Sequence, residues 1–203
     1  MSEQTMSKAV LISIQPRWCE LIASGKKTVE VRKTKPKLET PFKCYIYCTQ
    51  GDALALPCLN NPHYTIHRMN NGTVNGRQMT AKEREQSDHS FMNGKVIGEF
   101  VCYKIETIGW ISNPSKADWK DLFNEKTCLT NKETYEYTKG NLFYEWHITD
   151  LLIYDKPKEL SKFQQCHKCK HNCVRTSQNV ELCKYHRLTR PPQSWCYVEE
   201  IDR

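Results

Sequence analysis

The sequence predicts an α+β fold that is mainly β: a small barrel of about six strands with an early helix and a few short helices. Three observations carry this reading. Apolar, β-branched and aromatic runs of strand length recur at 8–14, 28–32, 42–49, 95–108, 143–154 and 194–201. The long 95–108 run holds a glycine, Gly98, where a strand can bend around a barrel. Helical periodicity is confined to short stretches.

Lys8–Ile14 (KAVLISI) reads as a buried strand. Pro16 suits the first position of a helix, Trp18, Leu21 and Ile22 share one face of it, and Gly25 falls just past its end. Residues 28–32 alternate, with Val29 and Val31 on one face and Thr28, Glu30 and Arg32 on the other. A basic, proline-punctuated loop (33–41) precedes the second strong strand, 42–49. Residues 50–94 form a polar insertion, read as a long loop with a short helix around 80–88. Short helices are expected at 116–123 and 132–139 after the polar starters Ser115 and Thr130. The last strand, 194–201, closes beside the first. The whole reads as one domain over 8–203, with a cysteine-rich insertion at 163–190 before that last strand.

A chain of 203 residues can bury roughly 70% of its unfolded surface without disulfides. Hydrophobic residues reach only 38%, but aromatics make up 10%, which argues against disorder. The longest apolar stretches, 9–14 and 151–154, are far short of a membrane span, and no basic-then-apolar leader opens the chain. The expected setting is the cytoplasm, without membrane contact. There, eleven cysteines are reduced thiols or metal ligands. Cys19, Cys44, Cys48, Cys58, Cys102, Cys128 and Cys196 read as small buried hydrophobes.

Charge is unevenly spread. Residues 156–190 hold nine basic and two acidic side chains, and residues 8–43 hold nine and three. The middle, 44–155, is acidic, with eleven against fourteen. Two basic segments around an acidic middle suit either one face for a polyanion or a merely solvated surface.

The run Gly25-Lys26-Lys27-Thr28-Val29-Glu30-Val31-Arg32 holds the first candidate site. With Val29 and Val31 in the core, Lys27, Glu30 and Arg32 either share a groove, where they bind an anion or move protons, or decorate an exposed edge strand. Trp18 and Trp195 flank this run and the chain's closing motif, and either could stack a base.

The Gly-x-Lys-x-x-Glu-x-Arg stretch, the LISIQP run before it and the closing PPQSWCYVE (191–199) resemble the ASCH family, in the version found in bacterial and prophage genomes. The resemblance implies a PUA-like β-barrel associated with RNA and modified bases, and a cleft lined by Lys27, Glu30 and Arg32. Some ASCH proteins are similar to amidohydrolases that deacylate modified cytidine with a Lys, a Thr and a Glu. Lys27 matches that lysine, Glu30 occupies the threonine's place, and the downstream carboxylate has no counterpart identified here. Others are linked to RNA cleavage.

The second candidate is metal-like. Cys166, Cys169, Cys173 and Cys183 place four thiols within eighteen residues, beginning with a Cys-x-x-Cys knuckle. That suits tetrahedral zinc, whose binding would supply the folding energy that the few apolar residues there cannot. His186 competes with Cys173 as the fourth ligand, and an iron–sulfur cluster or free thiols are the alternatives. Lys168, Lys170, Arg175, Lys184, Arg187 and Arg190 make the same segment a natural nucleic-acid element.

Together these features predict a nucleic-acid-binding protein, RNA before DNA, with structural Zn²⁺. It would read a modified or unpaired nucleotide with Trp18, Lys27, Glu30, Arg32 and Trp195. The competing classes are an enzyme using Lys27 and Glu30 in that cleft, as an amidohydrolase on a modified nucleoside or a nuclease, and an interaction scaffold.

Overall fold

The structure, a computed structural model, describes residues 7–50, 92–110, 123–165 and 187–201, together with the backbone of four short strands between 53 and 78. In chain order the elements are β1 (Lys8–Ile14), α1 (Pro16–Ala23), β2 (Val29–Arg32) and β3 (Phe42–Cys48). The short strands β4 (Ala53–Pro57), β5 (Ile66–Asn70), β6 (Thr73–Val74) and β7 (Arg77–Gln78) follow. Then come β8 (Lys95–Ile108), β9 (Phe123–Asn124), β10 (Leu129–Thr130), α2 (Asn131–Thr138), β11 (Phe143–Glu159) and β12 (Trp195–Glu199).

Six strands form one sheet in the order β12-β1-β3-β8-β11-β2, antiparallel throughout except for the β1–β3 pair. A parallel pair needs a crossover, and α1 with β2 supplies it. β1 and β3 are continuously apolar because both of their faces are covered. Val10, Ile12, Ile14, Cys44 and Ile46 face inward onto Cys19, Ile22 and Trp146. Ala9, Leu11, Tyr45 and Tyr47 face a second layer built from Tyr154, Leu160, Phe163, Leu188 and Val198.

The sheet bends at Gly98, which pairs with Ile46 on one side and Ile153 on the other, beside slips in both ladders. A Cβ at this position would lie 2.4 Å from the Leu152 carbonyl oxygen, so only glycine allows this approach. The bend rolls the two edges together. Arg32 of edge strand β2 donates to the Ser13 carbonyl of β1 at 2.6 Å and lies 3.4 Å from Ser194 Oγ, next to β12. The rings of Trp146 (β11) and Trp195 (β12) stand 6.1 Å apart. Among the described residues no backbone ladder joins β2 to β12, so side chains close the seam of this barrel.

The α2 helix opens with a reciprocal cap: Thr130 Oγ accepts from the Glu133 amide, and the Glu133 carboxylate accepts from the Thr130 amide. It ends at Lys139, in the left-handed region at φ 58°, one residue from each end expected. The 50–94 insertion differs from expectation. It is not a plain loop, since β4–β7 pair antiparallel in sequence order. Asn-Gly dipeptides at 71–72 and 75–76 lie between the paired strands, and Asn-Gly is the strongest short-range hairpin signal. The expected helix at 80–88, and all but the last residue of the one at 116–123, lie outside the described residues. Among the described residues no helix is long and apolar enough to cross a membrane.

Candidate functional site

The end of α1 sets the direction of the first cation. Gly25 takes φ +72°, a conformation side-chain-bearing residues avoid, and the chain reverses so that the Lys27 amide donates to the Leu21 carbonyl at 2.9 Å. Lys27 then points inward. Its Nζ donates to the Thr127 carbonyl at 2.6 Å, and this oxygen is presented by the turn between β9 and β10. The same turn holds the start of β2, because the Lys126 carbonyl accepts from the Thr28 and Val29 amides.

Alternation along β2 places the other charges. Val31 packs with Leu129 and Phe143 on one face. Glu30 and Arg32 turn to the other, the side of Trp146, which is the register partner of Glu30. Lys27 Nζ stands 3.4 Å from one Glu30 carboxylate oxygen and Arg32 Nη2 stands 3.1 Å from the other. Lys27, Glu30 and Arg32 are 2, 6 and 7% exposed. They are a buried, alternating-sign trio and not a solvated edge. Arg32 Nε has no acceptor among the described residues, which leaves one buried donor free for a ligand.

A cavity of about 540 Å³ opens over this trio. Ser13, Gln15 and Trp18 form one wall, Glu133, Glu136 and Tyr137 of α2 another, and Thr49, Gln193 and Ser194 complete the rim. Trp18 carries cations beside its ring, with Arg17 at 4.5 Å and Lys27 at 5.2 Å. Arg17 also pairs with Glu133 at 3.5 Å. Lys33 lies 4.8 Å from the Tyr137 ring, and burial pushes that phenol's pKa up. Along the adjoining loop, Lys35 lies 5.4 Å from the Tyr144 ring, and the Lys37 amide donates to the Tyr197 hydroxyl. Among the described residues the cavity lining has two cations, Lys27 and Arg32, against three carboxylates, Glu30, Glu133 and Glu136. These described residues include neither thiol nor imidazole, so their chemistry is that of ion pairs and hydrogen bonds.

Four of the five expected binding residues, Trp18, Lys27, Glu30 and Arg32, therefore meet at one cavity. Trp195 does not line it. Pairing with Ile12 turns Trp195 to the inner side of the sheet, where it packs on Trp146 and on Tyr197 and donates its Nε1 proton to Thr34. Tyr137 takes the place expected for it as the second aromatic wall. Tyr137, Glu133 and Glu136 escaped the sequence reading, although their i, i+3, i+4 spacing on one helix face was visible. Cys166, Cys169, Cys173, Cys183 and His186 lie outside the described residues. The described cysteines are free, and all but Cys196 are buried. Burial pushes the Cys102 thiol up to about 12 and Cys196 to about 11, so these are not nucleophiles.

The sequence matches the ASCH domain family over residues 12–171. This chain belongs to the ASCH family. The fold agrees: the crystal structure of ASCH from Zymomonas mobilis aligns at TM-score 0.51 and 17% identity, covering 95% of this chain and 88% of that one. Two variants of the same bacterial protein align at TM-score 0.51 and 16% identity, covering 96% and 95% of this chain and 92% and 89% of theirs. At such identity what is shared is the fold. No curated protein matches the chain. In this ASCH domain the matched region starts inside β1 and ends before β12, so it contains the whole Lys27–Arg32 run.

Proposed function

We propose that this ASCH domain binds RNA in the cytoplasm and receives one unpaired or modified base in the cleft over Lys27, Glu30 and Arg32. The observation that carries the reading is the composition of the cavity. Aromatic walls, a buried hydrogen-bonding trio and, among the described lining residues, an excess of carboxylates suit a neutral, planar, polar group better than a phosphate. Glu30 has lone pairs left to accept from a base's amino group, and Arg32 Nε is a donor suited to a ring carbonyl. Stacking on Trp18 or Tyr137 would contribute ~1–3 kcal/mol. Lys33, Lys35 and Lys37, on the loop beside the cavity, supply cations for the phosphates.

The hydrolase alternative asks Lys27 and Glu30 to flank a gap that admits both a carbonyl and a water. Here they contact each other, and Lys27 is also held by Thr127. That arrangement favours a reader over a catalyst.

The test is fluorescence anisotropy of a labelled single-stranded RNA against salt concentration. Binding in the micromolar range is expected. Replacing Lys33, Lys35 and Lys37 together with glutamine should lower the slope of log K against log salt by about 2, at roughly 0.7 per lost phosphate contact. Trp18→Ala should weaken binding at every salt concentration and leave the slope alone. Absence of any RNA binding at low salt overturns the proposal.

A further inference from the structure

We propose that Glu106, Glu145 and His147 form a divalent-cation site on the outer face of the β8–β11 ladder, separate from the cleft. Glu145 pairs with Glu106 directly across this ladder, and His147 follows two residues along β11 on the same face. This is the face opposite Trp146 and Glu30, and none of the three lines the cavity, although Lys27 and Lys126 act on Glu145 through space. The three candidate ligand atoms lie within 4.8 Å of one another, with His147 Nε2 2.6 Å from Glu106 Oε2.

Two features separate the cluster from an ordinary charged surface. Two carboxylates placed directly opposite repel, an arrangement that sheets avoid unless a cation joins them. Lys104 serves only Glu106, at 2.7 Å, and its half-exposed side chain can swing aside. Glu145, half-buried between the strands, has neither a hydrogen-bond nor an ion-pair partner among the described residues, so its lone pairs are free. His147, 12% exposed at its side chain, is held by the strand and by the Tyr103 ring 5.7 Å away. Donors around a tetrahedral ion with bonds of about 2.1 Å stand about 3.4 Å apart, within reach of small side-chain rotations here. One imidazole and two carboxylates on a rigid ladder, with positions open to water, suit Mn²⁺, Fe²⁺, Co²⁺ or Zn²⁺ better than Ca²⁺ or Cu⁺.

Mn²⁺ is the probe of choice, because thiolates are poor ligands for it and the cysteine-rich segment will not compete strongly. The free-ion electron paramagnetic resonance signal is titrated with the full chain. One ion should bind, and amides of β8 and β11 near Glu106 and His147 should broaden in NMR spectra. Glu145→Gln, which keeps the shape and removes one of two facing charges, should weaken binding about tenfold or more, as should His147→Ala. Both variants are checked for unchanged RNA binding and an unchanged circular dichroism spectrum. The proposal is overturned if the wild type leaves the Mn²⁺ signal intact, if Glu145→Gln binds as tightly as wild type, or if broadening appears elsewhere.

Discussion

Replacing Glu30 with glutamine isolates what the buried trio contributes. At 3.1 and 3.4 Å and an effective dielectric constant of about 20, each attraction to Glu30 is worth about 5 kcal/mol, and desolvation of several kcal/mol per ion offsets most of it. The net worth of the assembled trio is therefore small. Removing its centre is different: Glu30→Gln leaves two buried cations without the carboxylate that contacts both, at a cost of ~3–5 kcal/mol. Lys27→Met leaves the Glu30–Arg32 pair intact and strips the Thr127 carbonyl of its donor, at a cost of ~1–3 kcal/mol. Urea unfolding measures both. Glu30→Gln should lower the midpoint by about 1–2 M with little change in slope. The double variant should lose less than the sum of the two single losses, because the substituted glutamine no longer depends on Lys27. A Glu30→Gln variant that loses under ~1 kcal/mol, or less than Lys27→Met, would refute the reasoning and mark the carboxylate as solvated.

The thiols set a limit on alkaline stability. Burial raises Cys102 from 9.0 to about 12, so the folded state keeps a proton that the unfolded chain releases; its contribution is complete below pH 9 and disappears as pH climbs toward 12. The melting temperature should fall over that window, and a Cys102→Ala variant should fall less steeply; equal slopes would show that other groups govern the loss. The cysteine-rich segment should carry about one equivalent of zinc after chelator-free purification, and Cys166→Ser or Cys169→Ser should release it. Elemental analysis returning under ~0.2 equivalents would rule that out.

The strands were legible because burial leaves a strong mark: continuous apolar runs in β1 and β3, alternation in β2, and a glycine at the bend of β8. The Lys27–Glu30–Arg32 convergence was legible for the same reason, since a period of two fixes which side chains share a face. What spacing left undecided was the sign of the outcome, groove or solvent. That depended on the edges of the sheet meeting, and Arg32 contacts Ser13 from nineteen residues away and Ser194 from 162. Trp195 was misplaced because its motif neighbours, Gln193 and Ser194, do reach the rim while its own ring turns inward by register with Ile12. The Asn-Gly pairs in the insertion were a local signal hidden by the polarity of their surroundings.

The seam of the barrel has a mechanical consequence. Among the described residues β2, four residues long, is hydrogen-bonded to a neighbouring strand on one side only, and its hydrogen bonds to the far edge come from the Arg32 guanidinium. Whatever engages Glu30 or Arg32 therefore also loads a hasp: it tightens the closure if it adds contacts to both edges, and springs it if it draws the guanidinium away from Ser13. Amide exchange along Val29–Arg32 should consequently report occupancy of the cavity, because Val29 is held by the Lys126 carbonyl and its neighbours by the β11 ladder rather than by the guest.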